Sequence, residues 1–153
     1  MKYDLIFYIS KKTSYCEKAV RRSLAQIGGE IHRVVGAISP TMLGEEVSRS
    51  LRVCPMAVIV GGLSSDEDDN LATVLSRVFS NSALTLENMR RLTAASGSSG
   101  YIVRCRNQIL LALPDSPGDI EEMFSEELLA FISEKLTPEK NDQKQTSALT
   151  DAP

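Results

Sequence analysis

Two short runs constrain the architecture most: residues 4–9, DLIFYI, and residues 56–60, MAVIV, which are apolar at nearly every position. A strand that shows one face to water alternates polar and apolar residues, so unbroken apolar runs of this length read as strands buried on both faces, near the middle of a parallel sheet. The segment between them supports this. Over residues 14–27, Ala19, Val20, Leu24 and Ile27 recur at helical spacing; Ser14 and Glu17 form a capping-box pattern, and Gly28-Gly29 makes a fitting stop. Residues 30–35 read as a second strand and residues 41–51 as a second helix introduced by Ser39-Pro40. The order is βαβαβ. Strands alternating with helices of this length imply right-handed crossovers and helices covering the sheet.

After residue 60 the loop 61–69 opens a helix whose stripe is Leu71, Val74, Leu75 and Val78, and residues 84–92 read as a further short helix. Residues 101–105 and 108–113 are expected to be two strands turning at Arg106-Asn107, and residues 117–136 the last helix. The final stretch, 137–153, is polar with little to bury and reads as a disordered or poorly ordered tail, which leaves one α/β domain at 1–136. There is no internal repeat.

At 153 residues, 42% hydrophobic and 24% charged, the chain has the composition of an ordinary globular domain. Its 17 basic and 20 acidic side chains give a net charge of -3, with no basic cluster denser than Lys11-Lys12 or Arg90-Arg91, which argues against nucleic-acid partners. No run approaches the roughly 20 apolar residues that span a bilayer, and the first residues lack a signal-peptide layout, so a cytoplasmic protein without a membrane partner is expected. Cys16, Cys54 and Cys105 are widely spaced with no C-x-x-C pair or Cys/His cluster, so structural zinc is not expected. His32, the single histidine, reads as a strand-face residue.

In an open parallel sheet, ligands bind at the carboxyl ends of the strands, where unpaired N–H groups face anions. Three segments fall there. In residues 61–70, Gly61 and Gly62 allow close backbone approach, Ser64 and Ser65 donate, and Asp68 and Asp69 could hold Mg²⁺ against a phosphate; the same acidic run, Asp66 to Asp69, would equally serve as a helix cap. In residues 95–100, Gly97, Ser98 and Ser99 could cradle an oxyanion or form a plain linker. In residues 113–119, Pro114, Ser116 and Pro117 form a turn in which Ser116 is placed to cap the last helix, with or without a ligand. No Ser or Cys has a base near it in sequence, and neither G-x-G-x-x-G nor G-K-[ST] occurs.

Element order and two of these segments resemble the molybdopterin-binding domain family of molybdenum-cofactor biosynthesis, closest to the amino-terminal domain of CinA proteins. The family pattern G-G-L-G-P-T-x-D-D-x-T is met here by GGLSSDEDDNL, which keeps Gly61, Gly62, Leu63, Asp68 and Asp69. The later L-P-G-x-P-x-x-M-x-x-M-F is met by LPDSPGDIEEMF, which keeps Leu113, Pro114, Pro117, Met123 and Phe124. The resemblance implies a three-layer α/β/α domain with a mostly parallel sheet, a possible dimer or trimer, and a pocket for a pterin or nucleotide-phosphate small molecule. In CinA-like members it further implies Mg²⁺-dependent cleavage of a nucleotide pyrophosphate, with Asp68 and Asp69 as the catalytic, metal-facing carboxylates. The departures are Ser64, Ser65, Asp66 and Leu71 in the first motif, Asp115 for the glycine of the second, residues 11–15 for a glycine- and acid-rich loop, and Val35-Gly36-Ala37 for V-G-D. Asp115 adds a carboxylate to a phosphate-facing turn and so should disfavour an anion. That leaves a third expectation, a divergent non-catalytic member that acts through protein partners.

Overall fold

The computed structural model describes residues 1–63, 88–105 and 107–136. In chain order these are β1 (Lys2–Tyr8), α1 (Thr13–Ala25), β2 (Glu30–Ala37), α2 (Pro40–Val53), β3 (Met56–Val60), β4 (Asn88–Thr93), β5 (Ser99–Cys105), β6 (Gln108–Leu113), α3 (Pro117–Met123) and α4 (Glu126–Lys135). The strands form one sheet in the order β2-β1-β3-β6-β5-β4. The four strands β2, β1, β3 and β6 run parallel, and β5 and β4 continue the sheet antiparallel.

The apolar runs do what their composition dictates. All five residues of β3 are buried, as are residues 3–8 of β1, and their side chains alternate between two cores. On one face Leu5, Phe7, Val58 and Leu111 pack with Val20 and Leu24 of α1, Ile120 of α3 and Ile132 of α4. On the other Ile6, Tyr8, Ile59 and Leu110 pack with Leu43, Val47 and Leu51 of α2. The result is the expected three-layer α/β/α arrangement. Among the described residues no helix is long and apolar enough to cross a membrane.

Three local expectations are corrected. Helix α1 begins at Thr13 with Lys12 at its cap position and no side-chain cap, so Ser14 and Glu17 lie inside the helix and form no capping box. The Gly28-Gly29 stop does hold: Gly28 has φ +78, its N–H donates to Ala25 O and the Gly29 N–H to Leu24 O, a Schellman ending. Residues 88–92, expected to be helical, form β4 instead, paired with β5 from Asn88↔Arg104 to Thr93↔Ser99; residues 84–87 lie outside the described residues. Pairing with the next strand, β5, overrides the local apolar spacing. The single last helix is two helices, because Phe124 leaves the helical region and Ser125 caps a new start by accepting the Leu128 N–H at 3.1 Å. The expected helix at 71–79 and the tail at 137–153 lie outside the described residues.

Candidate functional site

Parallel pairing brings the ends of three strands side by side: Phe7 lies opposite Val60, and Val60 opposite Leu113. The chain leaves each strand by a different device. After β1, Ile9 takes φ +50, a conformation that strains a β-branched residue by about 1–3 kcal/mol and turns residues 10–12 across the sheet end. After β3, Gly61 takes φ +107 and its N–H donates to Leu113 O at 3.0 Å; a Cβ there would lie 2.2 Å from Tyr8 O. Gly62 follows with φ +77. After β6, Pro114 starts the turn that leads into α3 at Pro117, and the Ser116 N–H closes it on Pro114 O at 2.8 Å. Because β5 runs antiparallel to β6, with Tyr101 opposite Ala112, the turn from β4 to β5 lies at this same end. The described parts of all three segments singled out in the sequence therefore converge on one edge.

At the centre of that edge is Asp115. Its Oδ1 accepts from Ser10 Oγ at 2.7 Å and from the Lys12 N–H at 3.3 Å, with Cys16 Sγ at 3.5 Å; its Oδ2 accepts from the Lys11 N–H at 2.7 Å. Burial pushes the carboxyl pKa up, but these hydrogen bonds outweigh it and hold the group below the ordinary carboxylate range. The N–H groups belong to the chain entering α1, so the helix dipole adds to the attraction. Asp115 is an anion, and it occupies an anion cradle made of residues 10–12. A groove of about 520 Å³ opens between Thr13, Ser14, Glu17 and Lys18 of α1 and Val35 and Gly36 of β2; neither Asp115 nor residues 10–12 line it.

The turn between β4 and β5 is tied down. Gly97 takes φ +95 and its N–H donates to Ala94 O; Ser96 Oγ donates to Asp119 Oδ1 at 3.0 Å, and the Ala95 N–H donates to Glu122 Oε2. Hydrogen bonds from Ser98, Ser96 and Ser116 lower the Asp119 pKa. Ser99 Oγ accepts from Arg91 Nε at 2.9 Å and Nη2 at 2.6 Å. Ser116 stands at the cap position of α3, yet its side chain makes no cap bond, which corrects its expected role. The hydroxyls of this turn are thus engaged in fastening it to α3 and β4. Pro117 is the first helical residue, as its fixed φ favours.

Ser64, Ser65, Asp68 and Asp69 lie outside the described residues. Sequence reading missed residues 10–12, because their contribution is backbone N–H, which leaves no trace in residue type. The substitution of Asp115 for a glycine was the one available signal.

No protein-family model matches the chain, and no curated protein matches its sequence. Solved structures do. CinA from Thermoplasma acidophilum, a protein of unknown function, superposes with a TM-score of 0.65 at 14% identity over 80% of this chain and 92% of that one. A molybdopterin biosynthesis protein from Mycobacterium abscessus gives 0.64 at 14% identity, covering 97% and 98%. The molybdopterin biosynthesis enzyme MoaB from Thermus thermophilus gives 0.59 at 15% identity, covering 86% and 96%. The likeness is one of fold: this chain has the α/β fold of the CinA, MoaB and MogA structures.

Proposed function

We propose that the chain binds a phosphate-bearing small molecule, a pterin or a nucleotide, at the carboxyl end of its sheet, and that the ligand's oxyanion takes the position held by the Asp115 carboxylate in the free protein. The observation that carries this reading is the set of donors around Asp115: two N–H groups and a hydroxyl, at 2.7, 3.3 and 2.7 Å, converge on one anion. Charge-assisted bonds of this kind are about twice as strong as neutral ones, and a phosphate offers more charge and more acceptors than a carboxylate. Asp115 sits on a turn rather than inside an element, so it can swing aside. The molybdopterin biosynthesis proteins that share the fold support a pterin-like ligand.

A Mg²⁺ ion held by Asp68 and Asp69 belongs to this proposal, since the pair follows Gly61-Gly62 closely in sequence and two carboxylates suit a hard cation that bridges to a phosphate. Bound in that place it would polarise a pyrophosphate and lower the pKa of a water, which is the CinA-like hydrolytic version of the reading. A dimer or trimer is also part of the proposal; Ile9, Tyr15 and Ile38 are large apolar side chains exposed near this end of the sheet. The saturated cradle favours one competing reading, a non-catalytic member that has sealed its ligand site and works through protein partners.

A thermal-shift and calorimetric screen separates the two. Molybdopterin precursors, ADP-ribose and AMP are offered with and without Mg²⁺ to the natural chain and to Asp68→Ala and Asp69→Ala. A ligand at about 100 times its dissociation constant stabilises the fold by roughly 2.7 kcal/mol. A shift that needs Mg²⁺ and is lost in the aspartate variants supports the metal-assisted version, and a shift independent of Mg²⁺ supports simple binding. Silence at millimolar ligand supports the sealed scaffold.

A further inference from the structure

At the opposite end of the sheet, three side chains that are far apart in sequence meet. Asp4 on β1 is 1% exposed, Cys54 at the end of α2 is 3% exposed, and the His32 side chain on β2 is 39% exposed. Both partners address one carboxylate oxygen: His32 Nδ1 lies 2.8 Å from Asp4 Oδ1, and Cys54 Sγ lies 3.5 Å from the same atom. All three ligand atoms lie within 4.8 Å of one another. We propose that Asp4, His32 and Cys54 form a binding site for a divalent transition metal of the zinc class, completed by water on the His32 side.

Backbone geometry points the same way. Tyr3 pairs with Ile31 and Asp4 with Arg33, so the register slips between Tyr3 and Asp4 and His32 has no partner in β1. A bulge adds a residue to one strand and re-aims its side chain, a device found beside functional sites. Here it brings His32 onto Asp4. Cys54 is held from the other side: its N–H donates to Ser50 O at 2.8 Å, and Gln108 Nε2 donates to both Leu51 O and Cys54 O. Ligands fixed on a strand, a bulge and a helix end are preorganised in the sense a metal site needs.

The donor set of imidazole, thiolate and carboxylate is that of zinc and its neighbours, not of magnesium or calcium. Tetrahedral zinc with the usual bond lengths separates nitrogen from oxygen by ~3.3 Å and sulfur from oxygen by ~3.6 Å, so the His32–Asp4 distance must open by about half an ångström and the Cys54–Asp4 distance barely changes. The exposed imidazole can make that move. On binding, the thiol proton leaves to solvent and the imidazole gives up the Nδ1 proton that faces Asp4, remaining neutral with its one proton on Nε2, so a divalent ion, one thiolate and one carboxylate balance to zero charge. Arg33 Nε, 3.5 Å from Asp4 Oδ2, is the nearest competing cation. Its guanidinium is shared with Glu46 Oε2 at 2.8 Å and Ser50 Oγ at 3.3 Å, and it leaves Oδ1 to the metal.

Co²⁺ is the probe, added to the full chain after chelator treatment and followed by absorbance, with circular dichroism confirming that every variant is folded. The site predicts one equivalent of Co²⁺, a thiolate-to-cobalt charge-transfer band and the visible bands of tetrahedral cobalt, all bleached by Zn²⁺. The charge-transfer band is lost in Cys54→Ser and kept in the Cys16→Ser, Cys105→Ser double variant, which retains Cys54 as its single thiol. His32→Ala alters an exposed side chain and should weaken Co²⁺ by at least about tenfold, the minimum seen even for outer-shell partners of a metal. No charge-transfer band in the natural chain, or a band unchanged by Cys54→Ser or His32→Ala, overturns the site and leaves the cluster a hydrogen-bonded clamp between β1, β2 and α2.

Discussion

The Lys11 N–H donates to Asp115 Oδ2 at 2.7 Å, although the two residues are 104 positions apart in the chain. That bond joins the first strand's exit to the last strand's exit through an internal carboxylate. It also fixes a pH dependence. The folded Asp115 carboxyl titrates below the ordinary value of 3.8, so its stabilisation is complete above that value and is lost as pH falls through the lowered folded pKa. Replacing it with a neutral acceptor, Asp115→Asn, should cost about 1 kcal/mol at neutral pH and flatten this part of the acid limb. Denaturant melts from neutral pH down to the acid transition check both.

Two glycines with positive φ should respond very differently to alanine. At Gly61 a Cβ collides with Tyr8 O at 2.2 Å, and the neighbour is backbone in a central strand. Gly61→Ala should cost at least about 3 kcal/mol, combining strain and displacement. At Gly28, φ is +78 but nothing lies within 4 Å of the added carbon. Gly28→Ala should cost about 1 kcal/mol. Urea unfolding of the pair separates crowding from conformation.

Helix starts offer a second contrast. Ser125 Oγ accepts from Leu128 N–H at 3.1 Å and Ser39 Oγ from Met42 N–H at 3.2 Å, whereas α1 has no side-chain cap. Ser125→Ala and Ser39→Ala should each lose about 1 kcal/mol. Ser14→Ala, inside α1, should change stability by less than about 0.5 kcal/mol. A loss at Ser14 equal to that at Ser39 would restore the capping box read from the sequence.

Much of the architecture was written in local pattern. β3 falls on residues 56–60 as read, because a five-residue apolar run between Pro55 and Gly61 has few other solutions. Ser39-Pro40 marked the start of α2, and the Schellman glycines marked the end of α1. What failed depends on pairing and packing rather than on local pattern. Residues 88–92 become a strand only because β5 is there to pair with, and residues 117–136 break at Phe124 where two helices pack separately on the sheet. At the carboxyl end of the parallel strands, Gly61, Gly62 and Pro114 were legible from their conformational demands. The Ser10–Lys12 cradle was not, since backbone donors carry no residue signature. Asp4, His32 and Cys54 were hidden for another reason: a bulge and a helix end bring them together, and sequence spacing encodes neither.

Thiol chemistry tests the burial at both ends of the sheet. Burial first, then hydrogen bonding and charge from Asp115, pushes the Cys16 thiol up to about 12. Burial, then Asp4, pushes Cys54 up to about 11. Neither offers thiolate near neutrality. Iodoacetamide in mildly alkaline buffer should leave both unmodified in the folded protein and label both in denaturant, as peptide mass mapping will show. Rapid native labelling of Cys16 would mean that the contact with Asp115 is open in solution.

The most direct test of the central claim is calorimetric titration of AMP and ADP-ribose into the natural chain and into Asp115→Gly, which removes the internal competitor and restores the glycine of the related motif. If the carboxylate occupies the ligand's oxyanion position, the variant binds at least about tenfold more tightly, because the binding-competent fraction rises when the competitor is gone. If the variant binds no better than the natural chain, or if neither binds at millimolar concentration, the cradle is a structural clasp and the proposed ligand site is wrong.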